Sequence, residues 1–281
     1  MKFDHNRLWI LPLFAVVITS WVSCNKTSTT ASGPYKLSYG DSIIYLKQLN
    51  SDYIVYPVEY REGTYFGFPE GSDGIRIDES TGAINVTKSE SGLRYRITHL
   101  SPTGETTTTY VVISGINFTD HFYRLSLGDS IANPVYNADV SSILPLTGSI
   151  FDEGNNANSG GCSIKTTDGK INLAQTVRNG TFGTTPSNND RKEFDIIYRL
   201  NDNSGKAENK IRVKLYYYNT MADVAPDLLE TLQERTSQGV FVQAHNGNPF
   251  YIDNTSARPG TILQSTAVAK PRPPCVIIVA Q

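Results

Sequence analysis

The sequence predicts an all-β chain: two tandem β-sandwiches followed by a small C-terminal α+β extension. Three observations carry that expectation. The 281 residues are rich in tyrosine and in turn formers, with 16 Tyr, 11 Phe, 22 Gly and 14 Pro and no collagen-like period. Short runs of β-branched and aromatic residues are separated by Gly, Asn, Asp, Ser and Pro. A set of sequence matches also recurs in the same order along the chain, as a duplicated unit would.

Charge narrows the function classes. Lys and Arg number 25 against 27 Asp and Glu, a formal charge of -2, and only 19% of residues are charged. Without a basic run, the counterion-release term that dominates nucleic-acid affinity is missing, which sets DNA and RNA aside.

At the N-terminus, Lys2 and Arg7 precede an apolar run from Leu8 to Ile18, followed by Thr19, Ser20, Trp21, Val22, Ser23 and Cys24. The run is shorter than the ~20 residues that cross a bilayer, and residues 1–23 read as an export signal. Val22-Ser23-Cys24 resembles the lipobox of bacterial lipoproteins, with Trp21 where that family usually has Leu. The resemblance implies that Cys24 is acylated and that the mature chain is lipid-anchored in the outer membrane of the cell envelope. Several acyl chains hold firmly where one holds marginally, since each buried methylene contributes ~0.8 kcal/mol. Residues 24–34 are rich in Ser and Thr with no apolar period, a tether with an r.m.s. span of ~17 Å.

The duplicated unit rests on three matches. Gly40-Asp41-Ser42-Ile43 recurs as Gly128-Asp129-Ser130-Ile131, 88 residues on. Ile77, Gly82 and Ile84 recur as Ile164, Gly169 and Ile171, 87 residues on. Leu93 to Ile97 matches Phe194 to Tyr198 at an offset of 101, which places 14 inserted residues near Asn179 to Asp190. The copies span 35–119 and 120–219. Leu93, Tyr95 and Ile97 alternate with Arg94, Arg96 and Thr98, so one face meets a core and the other meets water. Strands are expected at 43–46, 53–59, 75–77, 83–86, 93–99 and 110–116, and that density is typical of a two-sheet sandwich.

The segment Ile75-Arg76-Ile77-Asp78-Glu79-Ser80-Thr81-Gly82-Ala83-Ile84 is similar to the strand, turn, strand signature of cadherin-like and related bacterial immunoglobulin-like domains. Ile164 to Ile171 is similar but lacks the Asp after its Ile. The resemblance covers roughly Tyr35 to Asn219 and implies tandem immunoglobulin-like (cadherin-like) sandwiches, a fold that hosts many functions. It would also suggest interdomain calcium held by clustered carboxylates, but the matching motifs are missing. Asn201-Asp202-Asn203-Ser204-Gly205 has Arg212 where a calcium loop needs its twelfth-position Glu, so it reads as a polar hairpin turn. Glu70, Asp73, Asp78 and Glu79 read as a solvated acidic loop, with a weak cation site as the alternative.

Few residues suggest chemistry. Once 1–23 is removed, His99, His121 and His245 remain, and no nucleophile elbow, zinc-protease helix or phosphate loop is present. No catalytic residue, metal ligand or cofactor is assigned. Tyr65, Phe66, Phe68 and Tyr217 are the candidate ligand contacts, because exposed rings stack on sugars or cover peptide side chains. Core packing is the other reading of these rings. Cys162 and Cys275 are either a disulfide pair, as an exported chain permits, or two separately buried thiols.

Residues 220–281 form the extension. Pro226 can open a helix with Leu228, Leu229 and Leu232 on one side. Asn246-Gly247 signals a hairpin between 240–245 and 249–253, and 261–269 and 275–280 read as further strands. Val276-Ile277-Ile278-Val279 is too apolar to be an exposed edge and has to be covered. The expected function is binding or adhesion without chemistry, toward an unknown glycan or protein ligand. One alternative is glycan capture for a polysaccharide-uptake system, and another is an envelope hydrolase using a carboxylate pair.

Overall fold

The structure is a computed structural model and describes residues 35–68, 74–138, 146–238 and 273–281, with only the backbone for 234–238. The export signal, Cys24 and the tether lie outside the described residues. So do Glu70, Asp73, His245, the Asn246-Gly247 hairpin and the strands expected over 240–245, 249–253 and 261–269.

The first half carries β1 (Ile43–Ile44), β2 (Ile54–Val55), β3 (Thr64–Phe68), β4 (Ile84–Asn85), β5 (Leu93–Leu100) and β6 (Thr106–Ile113). β1, β6, β5 and β3 form a four-stranded sheet in that order, and β2 pairs with β4. Alternation along β5 buries Leu93, Tyr95, Ile97 and His99 and turns Arg94, Arg96 and Thr98 outward, as the sequence predicts. Each large apolar side chain buried this way stabilises the fold by ~1.5–3 kcal/mol.

The second half starts a few residues before the expected 120 and carries β7 (Ile116–Phe118), β8 (His121–Arg124), β9 (Ile131–Ala132), β10 (Pro134–Tyr136), β11 (Ile150–Phe151), β12 (Ile171–Asn172), β13 (Asp190–Arg199) and β14 (Glu208–Tyr218). The chain closes on β15 (Cys275–Val279). The large sheet runs β11-β13-β14-β15-β8, and β10 pairs with β7 and β12 with β9. Among the described residues three α-helices are interspersed: α1 (Asn156–Ser159), α2 (Leu173–Arg178) and α3 (Pro226–Gln238). The molecule is thus mostly β, spread over several sheets, and Lys36–Gln281 form one compact unit.

The match at an offset of 87 is physical. Gly82 N–H donates to Asp78 O and Gly169 N–H to Lys165 O, each at 2.8 Å. Asn85 N–H donates to Arg76 O and Asn172 N–H to Ser163 O, again at 2.8 Å. Ile77 bridges Ile84 as Ile164 bridges Ile171. Both glycines have positive φ, +71° and +69°, and both lie on an aromatic ring. A Cβ on Gly82 would meet the Tyr65 ring at 2.7 Å, and one on Gly169 the Phe151 ring at 2.7 Å.

The other two matches need correction. Ile43 lies in β1, parallel to β6, whereas Ile131 lies in β9, antiparallel to β12. The true counterpart of Ser130 is Tyr53, since Val86 N–H donates to Tyr53 O just as Leu173 N–H donates to Ser130 O. Tyr65 pairs with His99 while Phe151 pairs with Tyr198, so β5 and β13 correspond at an offset of 99 rather than 101. An error of two keeps the buried face, because strand side chains alternate with period two. The inserted stretch also begins earlier than expected, with α2, which Asn172 caps by accepting Gln175 N–H at 2.9 Å. Six residues are too few to reveal a helical period.

In the C-terminal part α3 starts at Pro226, as expected. Leu228 is buried among Tyr216, Tyr218, Val224 and Ile277, and Leu229 is exposed. The apolar run is indeed covered, but as an integral strand rather than a docked extension: β15 lies between β14 and β8, parallel to both. All five of its residues are at most 2% exposed.

Cys162 and Cys275 are free, buried thiols, so of the two readings the sequence leaves open the structure has the second and not the bridge. Cys162 belongs to the core that contains Leu215, Tyr217, Val276 and Ile278, on one side of the large sheet. Cys275 packs with Tyr216, Tyr218, Ile277 and Val279 on the other. A disulfide needs Cβ atoms ~3.5–4.5 Å apart, and here the sheet itself intervenes. Burial, and then the charge of Asp152, pushes the Cys162 thiol up to about 12. Neither thiol of the chain from Asn25 onward is therefore expected to react with a thiol reagent at pH 8 until denaturant is added, when both react. Absence of two reactive thiols in denaturant without reductant would restore the bridge.

Candidate functional site

The outward face of the β3-β5-β6 sheet is built by register. Phe68 pairs with Arg96, which pairs with Tyr110, and Phe66 pairs with Thr98, which pairs with Thr108. Because Tyr65 and Gly67 take the inward positions of β3, Phe66 and Phe68 point out, and Phe66 is 42% exposed. The Arg94 guanidinium lies 4.1 Å from the Tyr110 ring centroid and Arg96 5.3 Å from that of Phe68. Such cation–π contact contributes ~0.5–2 kcal/mol. Thr98 and Thr108 share a hydroxyl hydrogen bond of 3.1 Å beside them. The face is aromatic and cationic.

Some arginines of the chain are neutralised by carboxylates and, among the described residues, others are not. Arg199 pairs with Glu153 and Glu208, and Arg212 with Asp195. Among the described residues, no carboxylate pairs with Arg94 or Arg96. Burial draws the Arg94 pKa down, against the opposing influence of Tyr110. A guanidinium that is partly desolvated and not matched by a carboxylate is suited to a carboxylate, sulfate or phosphate arriving from outside.

The candidate contacts divide. Phe66 and Phe68 lie together on this face. Tyr65 is fully buried, its ring 4.7 Å from that of His99, and its hydroxyl donates to Arg61 O at 3.0 Å. Tyr217 is buried against Phe182 at 5.7 Å. Both are core residues, which corrects their reading as ligand contacts. Sequence reasoning missed Arg94, Arg96 and Tyr110 as members of one site, because the cross-strand register that joins them is a tertiary fact. A second feature, a shallow groove of about 700 Å³, is lined by Ile54, Tyr56, Ile77, Asp78 and Thr81 among others. At its turn the Asp78 carboxylate accepts from Ser80 and Thr81, which lowers its pKa to about 2.

Where the two halves meet, polar contacts are direct. Ile116 N–H donates to the Tyr198 hydroxyl at 3.1 Å, and the Ser91 and Tyr198 hydroxyls are 3.3 Å apart. Asn137 accepts from Gly115 N–H at 3.0 Å and donates to Ile113 O at 3.0 Å. Asp202, in the hairpin turn the sequence predicts, accepts from the Ser114 hydroxyl at 2.7 Å and the Tyr136 hydroxyl at 2.9 Å. Burial, then the Asp202 charge, raises the Tyr136 pKa, so that phenol stays a donor. One carboxylate already bonded by two hydroxyls does not fit a calcium site, and among the described residues no three His, Cys, Asp or Glu side chains are grouped to hold a metal. His99 is buried with Nε2 3.1 Å from Glu62 O, and His121 pairs with Asp129 at the surface.

No family model and no curated relative matches the chain. It is similar to the EC1-2 fragment of human protocadherin-24, at a TM-score of 0.21 and 12% identity over 64% of this chain and 94% of that one. It is also similar to Drosophila N-cadherin EC1-4, at a TM-score of 0.19 and 11% identity over 66% of this chain and 49% of that one. The likeness to cadherin extracellular repeats, which are immunoglobulin-like, is weak.

Proposed function

We propose that this chain is a lipid-anchored cell-envelope protein that binds or adheres without chemistry. Acylated Cys24 would hold it to the outer membrane, and two tandem immunoglobulin-like sandwiches would carry its contact surface. The observation that carries this reading is the outward sheet of the first half, where Phe66, Phe68 and Tyr110 lie among two arginines that no described carboxylate neutralises. The same arrangement favours a glycan as ligand, an acidic one in particular, since flat rings stack on sugars while guanidinium groups take their carboxylates or sulfates.

Binding of the chain from Asn25 onward to immobilised polygalacturonate and dextran sulfate tests the surface. Phe66→Ala and Arg96→Ala are each expected to weaken binding at least ~10-fold, the loss that defines a contact worth more than ~1.4 kcal/mol. Leu127→Ala, at an exposed site outside the sheet, should leave binding unchanged. Equal binding by all three variants, or none by the parent, would refute the assignment of this face. Turnover of either polysaccharide would instead favour a hydrolase. For the anchor, Cys24→Ser should release the chain from the membrane fraction.

A further inference from the structure

The place that β15 takes in the second half is the place of β1 in the first. Ile43 and Ile44 pair in parallel with Val112 and Ile113 of β6, while Cys275 and Val276 pair in parallel with Lys214 and Leu215 of β14. The bonds leading in correspond: Val112 N–H donates to Ser42 O at 2.7 Å and Lys214 N–H to Pro274 O at 3.1 Å. In the first half this position is filled by the strand that runs directly into β2. In the second half the corresponding upstream strand, β8, sits one place further out and pairs with β15 instead. The slot beside β14 is therefore filled by the far end of the chain, which returns after residues 239–274.

We infer that β15 is an exchangeable strand, and that the slot between β8 and β14 accepts Cys275–Val279 from a second copy of this chain, joining copies head to tail. The contacts are the same in either case: a second copy's β15 would meet the same Leu215, Tyr216 and Tyr217 and the same Asp120 carboxylate, which here accepts Cys275 N–H. Cis and trans insertion thus differ only through the connection. Thirty-six residues follow α3 before β15, a contour of ~120 Å, against a radius of gyration of ~18 Å for a compact unit of this size. Chain length therefore does not confine the strand to its own slot, and effective concentration decides between the two. Neither an empty slot nor a free strand is stable in water, because all five β15 residues are at most 2% exposed. Slot and strand are different surfaces of one chain, so exchange need not close at a dimer.

Lys214 and Cys275 are cross-strand neighbours that share the Tyr216 side of the sheet, which gives a direct test. An acceptor chain carries Lys214→Cys, Cys162→Ala and Cys275→Ser, and a donor chain of different mass carries Cys162→Ala alone. Both begin at Asn25 and so contain the whole compact unit. The two are refolded together at increasing concentration and oxidised mildly. A covalent acceptor–donor heterodimer is expected, its share rising with concentration and lost when the donor also carries Cys275→Ser. A single chain with Lys214→Cys, Cys162→Ala and native Cys275 reports cis insertion. Internal closure of that chain with no heterodimer at any concentration overturns exchange, and failure of both disulfides overturns it too, since β15 would then not lie beside β14.

Discussion

Ile278→Ala is expected to destabilise the chain by about 3 kcal/mol and to lower its melting temperature by roughly 6–12 °C. Ile278 is fully buried, pairs with Tyr217 on one side and Tyr123 on the other, and belongs to the core that also holds Val276, Leu215 and Ile196. Truncation removes its transfer free energy and leaves a cavity that a strand fixed on both edges cannot close. Leu229→Ala on α3, at a side chain 45% exposed, should stay within ~0.5 kcal/mol of the parent when all three chains are unfolded in urea. A loss below ~1 kcal/mol for Ile278→Ala would mean that β15 is not part of the core.

Gly169→Ala is expected to cost about 2–4 kcal/mol. Its φ of +69° is strained for any residue with a Cβ, a penalty of ~1 kcal/mol, and the added carbon would meet Phe151 ring atoms at 2.7 Å. Forcing a methyl into such a contact typically adds ~1–3 kcal/mol, because Phe151 is fully buried and has little room to turn. The clash belongs to the pair, so in a double-mutant cycle Gly169→Ala with Phe151→Ala should cost less than the two singles combined. Additive values would place the whole effect in the backbone. Gly82→Ala against Tyr65 repeats the experiment in the first half.

Much of the fold was legible where the physics is local. The β class followed from composition, the buried face of β5 from the alternation of Leu93, Tyr95 and Ile97, and the start of α3 from Pro226. The Gly82 and Gly169 turns were legible because a tight turn with positive φ leaves glycine as its mark. The Gly40 to Ile43 match misled, because four similar residues can precede strands with different partners. The candidate face was half legible: Phe66 and Phe68 stood out as aromatics, but nothing local separated them from Tyr65, nor tied them to Arg96 and Tyr110.

By itself, the sequence determined the alternation of short strands and turns, the duplicated glycine hairpin, and the need to cover Val276 to Val279, since each follows from the conformational and solvation preferences of a few neighbouring residues. The tertiary structure alone decided that β15 enters the sheet in parallel between β14 and β8, that Cys162 and Cys275 lie on opposite sides of it, and that Asp202 joins the two halves. These outcomes depend on pairings between residues far apart in the chain, such as Cys275 with Asp120 across 155 positions. Their free energy comes from register and shared burial, which no local pattern encodes.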